Sequence, residues 1–160
     1  MKKTINLKLS MPEIIFDVQN KTYLTGKALS DGGNHSHVAN MQANDDDENA
    51  AQVLRSITMA VAVLHNRLAE YMEQNSSNSN NDIISAEESP ELSLSMPSNF
   101  NTSATATMGE AAHQFIVATA VADWFAITAK GETTDYSKVA EESLKVLEEA
   151  LCKRKRPMRP

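Results

Sequence analysis

The residues able to do chemistry in this chain are few and scattered. His35-Ser36-His37, with Asp31 just before them, offers imidazole nitrogens and a carboxylate to a metal ion. Histidines two apart share a face on a strand, but SDGGNHSH reads as loop, and no second pair of ligands accompanies them. Asn44-Asp45-Asp46-Asp47-Glu48 has the composition of a calcium loop. Its sixth position is not glycine and no glutamate closes a twelve-residue loop, so these acids read as the first turn of a helix, where they meet the positive end of its dipole. His113 and Asp123 lie in one apolar helical stretch, separated by about 15 Å of helical rise, too far to act on each other. Asp123 carries two readings: a buried carboxyl with a raised pKa, or a carboxylate on a solvated or subunit-facing edge, paired with an arginine. Serines are plentiful, yet there is no G-x-S-x-G elbow, no phosphate-binding glycine loop and no dinucleotide fingerprint. The expectation is a protein that is not an enzyme, with no catalytic residue, no cofactor and no bound metal.

The strongest polar signal is the end of the chain, KRKRPMRP. Lys153, Arg154, Lys155, Arg156 and Arg159 put five positive charges into the last eight residues of a chain whose net charge is −6, leaving −11 on the residues before them. An acidic body with a basic end is an interaction pattern, open to phosphate contact, to an acidic protein surface or to neither. No aromatic residue interleaves the basic ones, so base stacking is not indicated. The single cysteine, Cys152, excludes an internal disulfide. Four cations beside it are the setting in which a thiolate pKa could be lowered, but the preferred reading is a half-buried cysteine at a helix end. One thiol, and a start that lacks the apolar run of a secretory signal, suit a reducing compartment.

These residues must be positioned by a chain of 160 residues, enough for one domain with a real core. Residues 4–10, TINLKLS, alternate at period two and read as a strand. Ser10-Met11-Pro12-Glu13 has the form of a capping box opening a helix that carries Ile14, Ile15, Val18 and Leu24 and stops near Gly26. A helical turn at 36–42 is followed by a long helix over about 45–74, with Ala50, Val53, Leu54, Ile57, Val61, Leu64, Leu68 and Tyr71 at three-and-four spacing. The polar run 75–81, NSSNSNN, reads as a loop tip. Residues 82–86 and 91–95 flank a turn and predict a hairpin. LKLSMP and LSLSMP then look like two edges of one small sheet. From Ala111 to Thr128 nearly every residue is apolar or small, which marks a central helix covered on more than one side. Ser103 or a Thr107–Glu110 capping box opens it and Gly131 closes it. The last helix starts at Thr134 or Asp135, runs to about Lys153 and carries Tyr136, Val139, Ala140, Leu144, Leu147 and Leu151 on one face. The 111–128 run contains His113, Gln114 and Asp123, which suits a protein interior better than lipid. The fold class is α+β: about four helices in a mostly helical bundle, with a small antiparallel sheet or hairpin. It forms one domain over 1–152, with an extended basic tail over 153–160.

The segment AAHQFIVATAVADWFAITAKGETTDYSKVAEESLKVLEEALCKRKRP is similar to the C-terminal half of small virion structural proteins of tailed bacteriophages and prophages. MPEIIFDVQNKTYLTG and NDDDENAAQVLRS look like the N-terminal parts of proteins encoded among phage structural genes. By architecture the chain most resembles the head–tail connector, or adaptor, proteins of the phage neck. The resemblance implies a mostly helical, non-enzymatic subunit of a homo-oligomeric ring. The ring docks on the portal, or on other neck and tail proteins, through its C-terminal end (Lys153, Arg154, Lys155, Arg156 and Arg159), and the loop 75–91 faces a neighbouring subunit or the channel. Such a ring assembles in the bacterial cytoplasm, ends in the virion, meets DNA only incidentally in its channel and needs no membrane. Deleting 153–160 is then expected to abolish docking without unfolding. A tail-completion protein is a close variant. A nucleic-acid-binding accessory protein using the basic tail is the alternative from a different class.

Overall fold

The computed structural model describes residues 1–73 and 81–159. In chain order it forms β1 (Lys3–Lys8), α1 (Met11–Ala28), α2 (His35–Met41), α3 (Asp47–Arg67), β2 (Glu91–Met96), α4 (Thr105–Thr128) and α5 (Thr133–Leu151), with single 3-10 turns at Thr102–Ala104 and Lys130–Glu132. The class is α+β and mostly helical, as the residue patterns predict. The polar run 75–81 lies outside the described residues except for Asn81, and the helix expected to reach residue 74 ends earlier, at Arg67, because the chain then turns to place Met72 beside β2.

α4 is the centre. It buries residues all round, from Met108 through Phe115 and Ile116 to Trp124 and Phe125, and it packs on α5, α3, α1, α2 and β1. A helix without a polar face must be covered on several sides, and Ala111, Ala112, Ala118 and Ala120 let its neighbours come close. α5 lies antiparallel to it and buries Ala140, Ser143, Leu147, Ala150 and Leu151. α3 also runs against α4, burying Val53, Ile57, Ala60, Val61 and Leu64. α1 buries Met11, Ile14, Val18, Thr22 and Gly26, a clean three-and-four stripe.

Several boundaries differ from the sequence reading for local reasons. Ser10 precedes α1 but its side chain makes no capping bond, and the same holds for the residues before α4 and α5. The cap near α4 is Asn101, whose side chain accepts from Ser103 N–H and starts the 3-10 turn leading into the helix. Gly26 does not stop α1: it is buried where α2 crosses, and a Cβ there would meet the Val38 carbonyl oxygen at 3.2 Å. Leu24 is half exposed and belongs to the outer face. Gly131 sits in the 3-10 turn after Ala129, which ends α4.

The sheet has two strands, β1 and β2, antiparallel, with Ile5 opposite Leu94 and Leu7 opposite Leu92. The matched LKLSMP and LSLSMP segments belong to the two paired strands but meet each other only at Leu7–Leu92: residues 92–96 pair with 3–7, and LKLSMP runs on past the paired region into α1. Because the strands are antiparallel the Met-Pro corners lie at opposite ends: Met11 opens α1, whereas Met96 is the last residue of β2. The hairpin between 82–86 and 91–95 does not form. The far edge of β2 is taken by the segment after α3, through a Met72–Leu94 bridge, Glu73 N–H donating to Ser93 O, and Ser95 N–H donating to Tyr71 O at 2.6 Å. Residues 81–84 lie along α3 instead, with Arg55 donating to Asn81 O and Ile84 N–H donating to the Thr58 hydroxyl. No helix of the described residues is long and apolar enough to cross a membrane.

Candidate docking site

The basic end is built onto the body rather than left free for its whole length. α5 ends at Leu151, and Arg154 folds back to donate to Leu151 O at 2.7 Å and to Lys153 O at 3.1 Å. Orphan carbonyls at a helix end need donors, and a guanidinium there also meets the negative end of the dipole. Beyond the helix, Asn101 N–H donates to Lys153 O, and Lys155 N–H donates to Asn99 O. Between them Phe100, fully buried, faces Arg154 across an isolated β-bridge. Residues 153–155 therefore form a short ladder beside the entrance to α4. Arg156 and Arg159 continue past it, exposed.

Of the five cations predicted to dock, the structure divides the roles. Lys153, Lys155, Arg156 and Arg159 are exposed, while the Arg154 guanidinium is engaged in closing α5. The sheet adds one cation that linear reading missed. Lys3, at the first position of β1, lies beside Lys155, and its ammonium is held below the usual lysine range by loss of surrounding water and then by the like charge of Lys155. Like charges held together in this way make a positive surface that an acidic partner would relieve. Lys153 also borders a shallow groove of about 510 Å³ with Lys145, Glu148, Glu149 and Cys152. Cys152 is exposed, not half-buried. Because the ladder packs on Phe100, removal of 153–160 takes away fold contacts. A cut after Lys155 leaves those fold contacts in place.

The other sequence candidates do not converge. His35 and His37 sit two apart in α2, where successive residues turn by 100°, so they point to different sides. Asp31 accepts from Gly33 N–H and serves a loop turn. Among the described residues no three His, Cys, Asp or Glu side chains are placed to hold a metal ion. In the 44–48 run Asn44 Oδ1 accepts from Asp46 N–H and from the Asn49 amide, while Asp45 accepts from Gln19. Asp123 has Ser56 of α3 as its partner rather than an arginine. Loss of water raises its carboxyl above the usual range and the Ser56 hydroxyl lowers it in part. The residue as a whole remains exposed.

One pairing had no signal in the sequence. His113 Nε2 lies 2.6 Å from Asp17 Oδ2, joining α4 to α1 across 96 positions. The pair borders an open cleft of about 430 Å³ with Lys8, Ser10, Glu13, Gly109 and Glu110. An imidazole and a carboxylate can share a proton, yet catalysis would need a reacting group held against them. Ser10 is the only hydroxyl lining the cleft among the described residues, and it makes no hydrogen bond to His113. The pair is a clasp between helices. No protein-family model, no curated protein and no solved structure matches this chain.

Proposed function

We propose that the protein is a non-enzymatic structural subunit of a tailed-phage virion, a component of a neck or connector ring that docks on the portal or its neighbours through its C-terminal end. The observation that carries the reading is the basic end itself. A cationic segment pinned to the body by backbone bonds, with Lys3 added beside Lys155, presents its charge on a fixed surface. A merely solubilising tail needs no such ladder. A pre-organised surface loses less entropy on docking and fixes the orientation of its partner. The ring and its place in the virion rest on the resemblance of residues 111–157 to phage structural proteins.

The reading is tested by imaging the purified protein in negative stain over a range of concentrations, alone and with portal protein. Rings, or portal-bound particles lost on deletion of 156–160, are the expected outcome. A monomer at every concentration with no affinity for portal or tail components would overturn it. Tight binding to duplex DNA that collapses with salt, with a slope matching several phosphate contacts, would favour a nucleic-acid-binding accessory protein instead.

A further inference from the structure

The two ends of the central helix differ in charge and in shape. At its N-terminal end lie Lys3, the 153–155 ladder and the free segment Arg156-Pro157-Met158-Arg159, all four residues exposed and Met158 93% so. At its C-terminal end α2, the start of α3 and the last turn of α4 enclose a cleft of about 390 Å³, lined among others by Asn40, Asn44, Asp46, Gln52, Trp124 and Ile127. Most of its lining is polar, and its apolar part is made by Trp124, which reaches it from the core, and Ile127, 62% exposed. Its rim is polar and acidic. Asp46 opens onto Asp47 and Glu48, all exposed, and none of the three is in an ion pair among the described residues. The Asn40 and Gln52 side-chain amides make no hydrogen bond among the described residues.

We propose that this cleft receives the C-terminal segment 156–159 of a second copy of the chain. The segment has what the cleft lacks. Arg156 and Arg159 supply positive charge for Asp46 and its neighbours, Met158 supplies a flexible apolar side chain for the apolar part at Trp124 and Ile127, and a proline-containing extended backbone offers carbonyls to the free amides. The segment cannot fill the cleft of its own copy. Four residues beyond Lys155 reach about 14 Å at full extension. α4, with 24 residues, separates its two ends by about 36 Å. The contact is therefore between copies and heterologous, tail into cleft, which closes into a ring when the rotation permits and otherwise runs on as a filament. The inference rests on the reading of the protein as a subunit present in many copies. It assigns 156–159 to the subunit–subunit contact that builds the ring, so that portal docking, made by Lys3, Lys153 and Lys155 of the assembled ring, also fails when 156–160 are deleted.

The experiment uses two variants of the full chain: deletion of 156–160, and the surface double substitution Asp46→Lys with Ile127→Lys. Both alter exposed positions, and an unchanged melting curve confirms their fold. In sedimentation velocity the parent is expected to associate with rising concentration, each variant alone to remain monomeric, and an equimolar mixture to stop at a dimer, because only one tail and one cleft are intact. A synthetic peptide of residues 152–160 is expected to shift the fluorescence of Trp124, the only tryptophan, when titrated into the deletion variant. At least tenfold more peptide should be needed with the cleft variant. Association of both variants at the parent's strength would overturn the tail-into-cleft contact while leaving the ring reading intact. Failure of the peptide to perturb Trp124 would overturn it as well. Loss of portal binding in every form, including the parent, would count against the ring reading and not against the cleft.

Discussion

The two ends of α4 are held in different ways. Its C-terminal end is fixed by side chains of the core and its margin: the Trp124 indole donates to Met41 O at 2.7 Å, Phe125 packs against Tyr136 in a tilted pair with ring centres 5.5 Å apart, and the Tyr136 and Thr25 hydroxyls share a 2.6 Å hydrogen bond. Its N-terminal end is fixed by backbone, through the ladder between 99–101 and 153–155 and the Arg154 cap. Packed side chains fix the first end through loss of apolar area, and nothing there moves without opening the interior. Hydrogen-bonded backbone at the surface contributes about 0.5–1.5 kcal/mol per bond net and leaves the residues beyond it free to bind. The division holds one end of α4 through the interior and leaves the chain beyond the other end exposed.

The sharpest way to break the comparison is Trp124→Ala. Removing a core tryptophan costs about 3–5 kcal/mol, and the carbonyl of the buried Met41 loses its donor as well. A fall in melting temperature of about 10 °C or more is expected. Trp124→Phe keeps most of the area and loses only the indole bond, so it should fall by much less. A parent-like melting temperature for the alanine variant would mean that the side-chain end is not anchored by Trp124.

The backbone end should respond more weakly and in two steps. Deleting 153–160 removes the ladder, uncovers Phe100 and strips the cap from Leu151, and is expected to cost about 2–3 kcal/mol from two or three such bonds. Deleting only 156–160 should leave the melting curve in place, because no bond of the fold lies beyond Lys155 among the described residues. Equal melting temperatures for the two truncations would show that the ladder adds nothing to stability.

What the sequence made legible follows the same division. α4 is readable as a long unbroken run of apolar and small residues, α5 because its apolar residues recur at helical spacing over its length, and the strands β1 and β2 show in two short alternations. The rest depends on contacts between segments that have no period. Ile84 has the look of a strand residue, but its N–H goes to Thr58 because Met72 has already taken the edge of β2. Gly26 looks like a helix stop and serves as a crossing point, since only the facing Val38 shows why its small size is needed. Asp17 and His113 give no hint of each other, being ordinary polar residues at the borders of apolar stripes. Of the proposed docking surface, the five cations are visible in the sequence. The loss of Arg154 to capping and the gain of Lys3 follow from the register of irregular and sheet backbone, which composition does not encode.

The smallest expected effect concerns Asp123, at the side-chain end of α4. Its carboxyl is held above the ordinary value of 3.8 because loss of water toward α3 penalises the charge, with the Ser56 hydroxyl restoring part of it. A carboxyl whose folded pKa is raised binds its proton more tightly in the folded state than in the unfolded one. Its contribution to stability is then greatest when protonated and declines as the pH climbs from the unfolded value through the folded one. Asp123→Asn removes this slope. It is expected to raise the melting temperature at pH 7 by about 1–2 °C, with no gain at pH 3, the small size reflecting the solvent on the exposed side of the residue. Ser56→Ala should act in the opposite direction at neutral pH, since it takes away the group that favours the charge. The difference between the Asp123→Asn and parent melting temperatures, followed from pH 3 to pH 7, isolates the group. A difference that stays flat across that range would show that burial against α3 leaves Asp123 without thermodynamic effect.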